Sequence, residues 1–79
     1  MLGRERDMNV TDSIRRMCEE SGKGPVEVSY AIGRSKAFLS SALTRGTIPR
    51  VDTLAKVAQA CGYRLVLESD TDKIVIDPE

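Results

Sequence analysis

The sequence contains no histidine and no tryptophan, and it has only two cysteines among its 79 residues. A structural zinc site takes four nitrogen or sulfur ligands, which two thiols cannot supply alone. Without histidine there is no Ser-His or Cys-His pair for nucleophilic catalysis, and the phosphate-binding patterns GxxxxGK[ST] and GxGxxG are absent as well. The composition therefore predicts a protein that is not an enzyme and that binds no metal and no cofactor.

Long apolar runs are also missing from the chain. No apolar run exceeds three residues, whereas a membrane-spanning helix needs about 20. The first seven residues carry charges where a signal peptide has an apolar stretch. We therefore expect no membrane partner and a cytoplasmic location. Hydrophobic residues make up 41% of the chain and charged residues 30%, which is typical of one soluble globular domain.

The charges sum to zero but are unevenly distributed. Residues 34–62 hold five basic residues and one acidic residue, whereas residues 63–79 hold two basic and five acidic ones. No acidic residue lies between Arg34 and Arg50. A basic middle and an acidic tail indicate one surface for an anionic partner and another surface for something else. Ordinary solvated surface charge is the alternative interpretation.

The apolar spacing in the first half of the chain predicts two helices. Residues 1–10 show no periodicity and are interpreted as an N-terminal arm. Thr11 or Asp12 is expected to cap the first helix by accepting a hydrogen bond from its free N–H groups. Pro25 suits the first position of a second helix, which Gly33 is expected to end. The predicted buried residues of these helices are Ile14, Met17, Cys18, Val28 and Ile32.

Two more helices are predicted in the second half. Ser35 is expected to cap the third helix, and a fourth runs from about Val51 to Cys61. Cys18 and Cys61 both occupy apolar positions, which favours two buried thiols over a disulfide. The predicted buried residues are Leu39, Ala42 and Leu43 on the third helix, and Val51, Leu54, Val57, Ala58 and Cys61 on the fourth.

After Gly62 the apolar period changes from 3.6 to 2, which is typical of strands. Two alternating segments flank the turn-rich sequence 69–72, and this predicts a β-hairpin within residues 63–79. Both faces of the hairpin are apolar, and a chain of this size cannot cover both, so we expect a second subunit to cover one. A hairpin folded over its own helices is the alternative. The predicted dimerisation residues are Leu65, Val66, Leu67, Ile74, Val75 and Ile76.

The segment from Pro25 to Gly46 combines two short helices with a glycine turn. The small residue Ser29 stands four positions before Gly33, and the aliphatic Leu39 stands six after it. This spacing resembles the helix-turn-helix of lambda-repressor-like regulators of the Cro/XRE family. The following stretch, residues 46–63, is similar to the "Gly…Pro…Leu…Leu…Ala…Leu-Gly" pattern of that family. The resemblance covers about residues 11–63.

The resemblance implies a mainly α-helical protein with a compact four- to five-helix domain over residues 11–62, followed by the hairpin. It also implies a repressor that binds a palindromic operator in double-stranded DNA as a homodimer. A helix fits the major groove, where side chains on its exposed face read base edges. The residues expected to read bases are Ser35, Lys36, Ala37, Ser40, Ser41 and Thr44. Those expected to contact phosphates are Lys23, Arg34, Arg45 and Arg50.

Three positions depart from the family pattern. Pro25 stands where many members have glutamine, and Arg34 follows the turn glycine, where an apolar residue is usual. The distance from Gly33 to Gly46 is one residue longer than is common. Phe38 has two interpretations, packing on the sugar-phosphate backbone or filling the core. An antitoxin or adaptor whose acidic tail binds a partner protein, such as a toxin, is the alternative function.

Overall fold

The computed structural model describes residues 8–78, so most of the predicted N-terminal arm, residues 1–7, lies outside the described residues. The described chain is mainly helical and ends in a two-stranded antiparallel hairpin, as predicted. Four helices form within it. The elements are α1 (Val10–Ser21), α2 (Pro25–Ala31), α3 (Phe38–Arg45), α4 (Val51–Ala60), β1 (Leu65–Glu68) and β2 (Lys73–Ile76).

Helix α1 begins earlier than predicted. The side chain of Asn9 caps it, because its Oδ1 accepts a hydrogen bond of 2.7 Å from the N–H of Asp12. Thr11 and Asp12 lie inside the first turn, so the prediction that one of them caps the helix is wrong. Asparagine satisfies a free N–H as well as threonine or aspartate does. The residue that directly precedes the first helical turn becomes the cap, and here that residue is Asn9. At the other end Gly22 adopts a left-handed conformation, with φ of 74°.

The core lies where the four helices meet. Each helix contributes a side chain that is at most 1% exposed: Ile14, Val28, Leu39 and Val57. These four positions were all predicted to be buried. The prediction for Val51 is wrong, since its side chain is 62% exposed. Helix α4 packs against both α1 and α2, so its buried arc is wide and includes Thr53 and Ala55 instead.

The two cysteines are buried free thiols, as predicted. Cys18 on α1 and Cys61 after α4 belong to the same core cluster. Burial, and then the neighbouring Cys61, raises the pKa of the Cys18 thiol to about 11. Cys18 is therefore protonated at neutral pH and behaves as a small apolar side chain.

The hairpin register follows from the strand pairing. Leu65 pairs with Ile76 and Leu67 with Ile74, so these four residues share one face. Val66 pairs with Val75 on the opposite face. Strand β1 packs against α4, but both faces of the hairpin retain exposed apolar side chains.

Candidate nucleic-acid interface

The turn between α2 and α3 is built on Gly33. Its φ of 78° reverses the chain, and the next residue, Arg34, donates its backbone N–H to the carbonyl of Ser29 over 2.9 Å. A second turn follows, in which Phe38 donates its N–H to the carbonyl of Ser35. Helix α3 therefore begins at Phe38, and the prediction that Ser35 caps it is wrong.

Ser29 supplies the hydrogen bond that this helix lacks at its start. Its hydroxyl donates to the carbonyl of Pro25 over 2.7 Å and accepts the N–H of Leu39 over 3.0 Å. The residue before α3, Ala37, has no side chain that could cap the helix. Since Ser29 is fully buried, no solvent replaces it, and α2 holds the first turn of α3 in place. The sequence pattern indicates only a small residue at position 29, and no local signal in it predicts this bond.

Arg15 holds the other end of α3. One of its guanidinium nitrogens, Nη2, donates to the carbonyl of Leu43 over 3.3 Å. That carbonyl lies in the last turn of α3, where a cation also complements the helix dipole. Gly46 then ends the helix in a left-handed conformation. Helix α3 is thus bonded to α2 at its start and to α1 at its end.

The structure divides the six predicted base-reading residues into two groups. Ser35, Lys36 and Ala37 are exposed but precede the helix. Ser40, Ser41 and Thr44 lie on α3, where Ser41 and Thr44 are exposed and Ser40 is half-buried. Two shallow depressions meet along the exposed face of α3, because Ser41 and Arg45 line both of them. One of the depressions also contains Ser35 and Ala37, so the turn and the helix form one surface.

Arg34 is held at the start of this surface. Its guanidinium lies 4.7 Å from the centre of the Phe38 ring, and its Nη2 donates to the hydroxyl of Thr53 over 3.5 Å. Phe38 itself is half-buried and packs against the core, which favours the second of its two interpretations. Arg34 therefore follows Gly33 without entering the core, because its exposed side chain extends over the Phe38 ring.

The other predicted phosphate contacts differ in their surroundings. Arg45 is exposed on the last turn of α3. Arg50 is exposed and lies 3.5 Å from the carboxylate of Asp52, a contact weakened by solvent. Lys23 has a separate role, since its Nζ donates to the carbonyl of Ala60 at the end of α4 over 2.7 Å. This bond directs its Nζ to the end of α4, and a phosphate contact for Lys23 stays a prediction.

An apolar groove of about 440 Å³ lies elsewhere, between α1, α4 and the start of β1. Residues far apart in the chain form its walls, so no local pattern predicts it. Its apolar side chains are Met8, Val10, Met17, Leu54, Ala58, Tyr63 and Leu65, and Ser13, Arg16 and Arg64 complete the lining.

Within residues 8–78, no helix is long and apolar enough to cross a membrane. The same residues contain no cluster of three or more side chains suited to hold a metal ion. Comparison of the chain with protein-family models, curated proteins and solved structures found no match.

Proposed function

We propose that this chain is a sequence-specific DNA-binding regulator of the lambda-repressor-like type, which binds a palindromic operator as a dimer and represses transcription. The observation that carries the proposal is the exposed surface of α3 and its preceding turn. It presents small hydroxyl-bearing and basic side chains, and the sequence from Arg34 to Arg50 contains no acidic residue. Such a surface repels neither phosphates nor base edges, and it lets the backbone approach the major groove.

The attachment of α3 to its neighbouring helices supports the same proposal. Base reading requires side chains that are held in register with the groove, and both ends of α3 are bonded to neighbouring helices. Ser41 and Thr44 are candidates to read bases, because a hydroxyl can donate to or accept from a base edge. Arg34 and Arg45 lie at the two ends of the surface, where they can contact phosphates and fix its orientation.

Replacing Arg45 by alanine is expected to weaken binding to all DNA sequences to a similar degree. The loss of one phosphate contact should reduce the slope of log K against log salt concentration by about 1. Titrations at several salt concentrations measure this slope. Lys73→Ala is the matched control, since it removes the same charge from the hairpin and should leave the slope unchanged. Equal slopes for Arg45→Ala and the unaltered protein would remove Arg45 from the interface.

Replacing Ser41 by alanine is expected to change which bases are preferred. A lost base contact costs about 1–3 kcal/mol of discrimination at one or two positions of the site. Selection from a randomised DNA pool measures the preference directly. Ser40→Ala should have a smaller effect because Ser40 is half-buried, and Thr71→Ala in the hairpin loop should have none. The absence of any selected sequence for the unaltered protein would refute specific DNA binding.

A protein-binding role for the tail is the second candidate function. The exposed apolar side chains of the hairpin favour it, because Leu67 and Ile74 are more than half exposed and Glu68 and Asp72 lie beside them. An antitoxin or adaptor would use this surface to capture a partner protein. Co-purification of a stoichiometric partner in place of a homodimer would support this candidate.

A further inference from the structure

The outer edge of β1 has unpaired backbone groups. Ser69 donates its N–H to the carbonyl of Asp72, so this pair is hydrogen-bonded across the hairpin. Because hydrogen-bonded and non-bonded pairs alternate in an antiparallel ladder, the backbone groups of Arg64, Val66 and Glu68 point away from β2. Within residues 8–78, these three residues make no backbone hydrogen bond outside the hairpin. The edge is therefore available to a further strand.

The sequence along this edge is complementary to itself. In an antiparallel pair, opposite residues share a face, so a twofold axis through the pair must pass through one residue position. An axis at Val66 places Arg64 of each copy opposite Glu68 of the other copy, so two such pairs form. An axis at Leu67 would place Glu68 opposite the apolar Val66 of the second copy. An axis at Leu65 would place Arg64 opposite that same Val66. Charge pairing therefore selects the axis at Val66.

The same register places the most exposed leucine beside the apolar groove. Leu67 is 57% exposed, and the axis at Val66 sets it opposite Leu65 of the second copy. Leu65 lines the groove between α1 and α4, together with Val10, Met17 and Leu54. In this register the side chain of Leu67 would reach the mouth of a groove that is mainly apolar, with Arg16 and Arg64 also in its lining.

We infer that the chain forms a symmetric dimer in which two β1 strands pair around Val66 and each Leu67 enters the groove of the other copy. The inference rests on the proposed function in one respect: a palindromic operator requires a dimer, and the β1 pair supplies it. The outer edge of β2 is a weaker candidate, although Lys73 and Asp77 would also pair around Val75. It does not border the groove, and Pro78 brings the chain back against α2 and α4 just beyond it.

Cysteine cross-linking without DNA tests the register. Two β1 strands paired at Val66 hold opposite Cα atoms about 5.5 Å apart, which a disulfide can bridge. Val66→Cys should therefore form a covalent dimer on mild oxidation with copper phenanthroline. Val75→Cys, its matched control on β2, should not. Arg64→Cys mixed with Glu68→Cys should cross-link to each other, and neither should cross-link alone because identical positions lie about 14 Å apart.

Sedimentation of Leu67→Asp provides a second measurement. We expect this variant to raise the dimer dissociation constant at least tenfold while circular dichroism shows unchanged helix content. Three results would overturn the inference. The first is that the unaltered protein is a monomer, the second is cross-linking at position 75 in place of position 66, and the third is a dimer that cross-links at neither position. A cross-linked β1 dimer that selects no DNA sequence would refute the proposed function and leave this dimer intact.

Discussion

Placing aspartate at both Val66 and Val75 is expected to yield a monomer that binds the proposed operator about 10²–10⁴-fold more weakly. The two residues face each other across the hairpin, and Val66 is half-buried, so the carboxylates would repel each other and lose hydration. The loss of affinity follows because two linked half-sites bind far more tightly than one. A binding titration beside sedimentation measures both effects.

The helices should survive this change. Their core is formed by Ile14, Val28, Leu39 and Val57, none of which lies in the hairpin. Truncation after Gly62 should likewise give a helical monomer with weak DNA binding. Threonine at both valine positions is the control, because it keeps the β-branched shape without adding charge. A double-aspartate protein that remains dimeric and binds DNA normally would contradict the role of the hairpin.

Replacing Ser29 by alanine is expected to lower the free energy of unfolding by about 1–3 kcal/mol. The hydroxyl is the acceptor for the N–H of Leu39, which stays buried and unpaired in the variant. Valine at the same position should cost a further ~1–3 kcal/mol, because the site is fully buried and the extra methyl groups have no room. Chains of this size have only a few kcal/mol of stability, so the valine variant should be largely unfolded at 37 °C.

Urea denaturation followed by circular dichroism measures both changes. Ser21→Ala is the matched control, since the Ser21 hydroxyl also bonds two backbone groups, the carbonyl of Cys18 and the N–H of Lys23, but is only half-buried, so water can replace it. It should cost less than Ser29→Ala. The alanine variant should also bind DNA more weakly below its unfolding midpoint, because the start of α3 is no longer fixed. Equal stabilities of the two alanine variants would show that the bond to Leu39 contributes little.

The features that the sequence predicted correctly depend on local chemistry. Gly33 and Gly46 end helices because glycine tolerates the left-handed conformation, and any chain context allows this. The alternation of apolar residues fixed the hairpin register, because a shift by one residue would turn every side chain to the opposite face. The buried residues Ile14 and Leu39 follow from helical spacing, which indicates a core-facing stripe whatever the neighbour is.

The predictions that failed concern the residue at which a helix begins and the extent of a helix's buried face. Ser35 has the right chemistry to cap α3, yet the helix begins three residues later, where Ser29 of another helix supplies the bond. Val51 fits the apolar period of α4, but it lies beyond the edge of the core. In both cases the local sequence is compatible with more than one helix start or buried face.

The sequence by itself determined the four helices, the hairpin with its two apolar faces, and the basic segment that the proposed interface uses. These properties arise from neighbours within one or two turns of chain. Only the tertiary structure decided where α3 begins, that Lys23 bonds to the end of α4, and that a groove lies beside β1. Each of these depends on groups brought together from distant parts of the chain, and a buried donor pairs with whichever acceptor the packing places beside it.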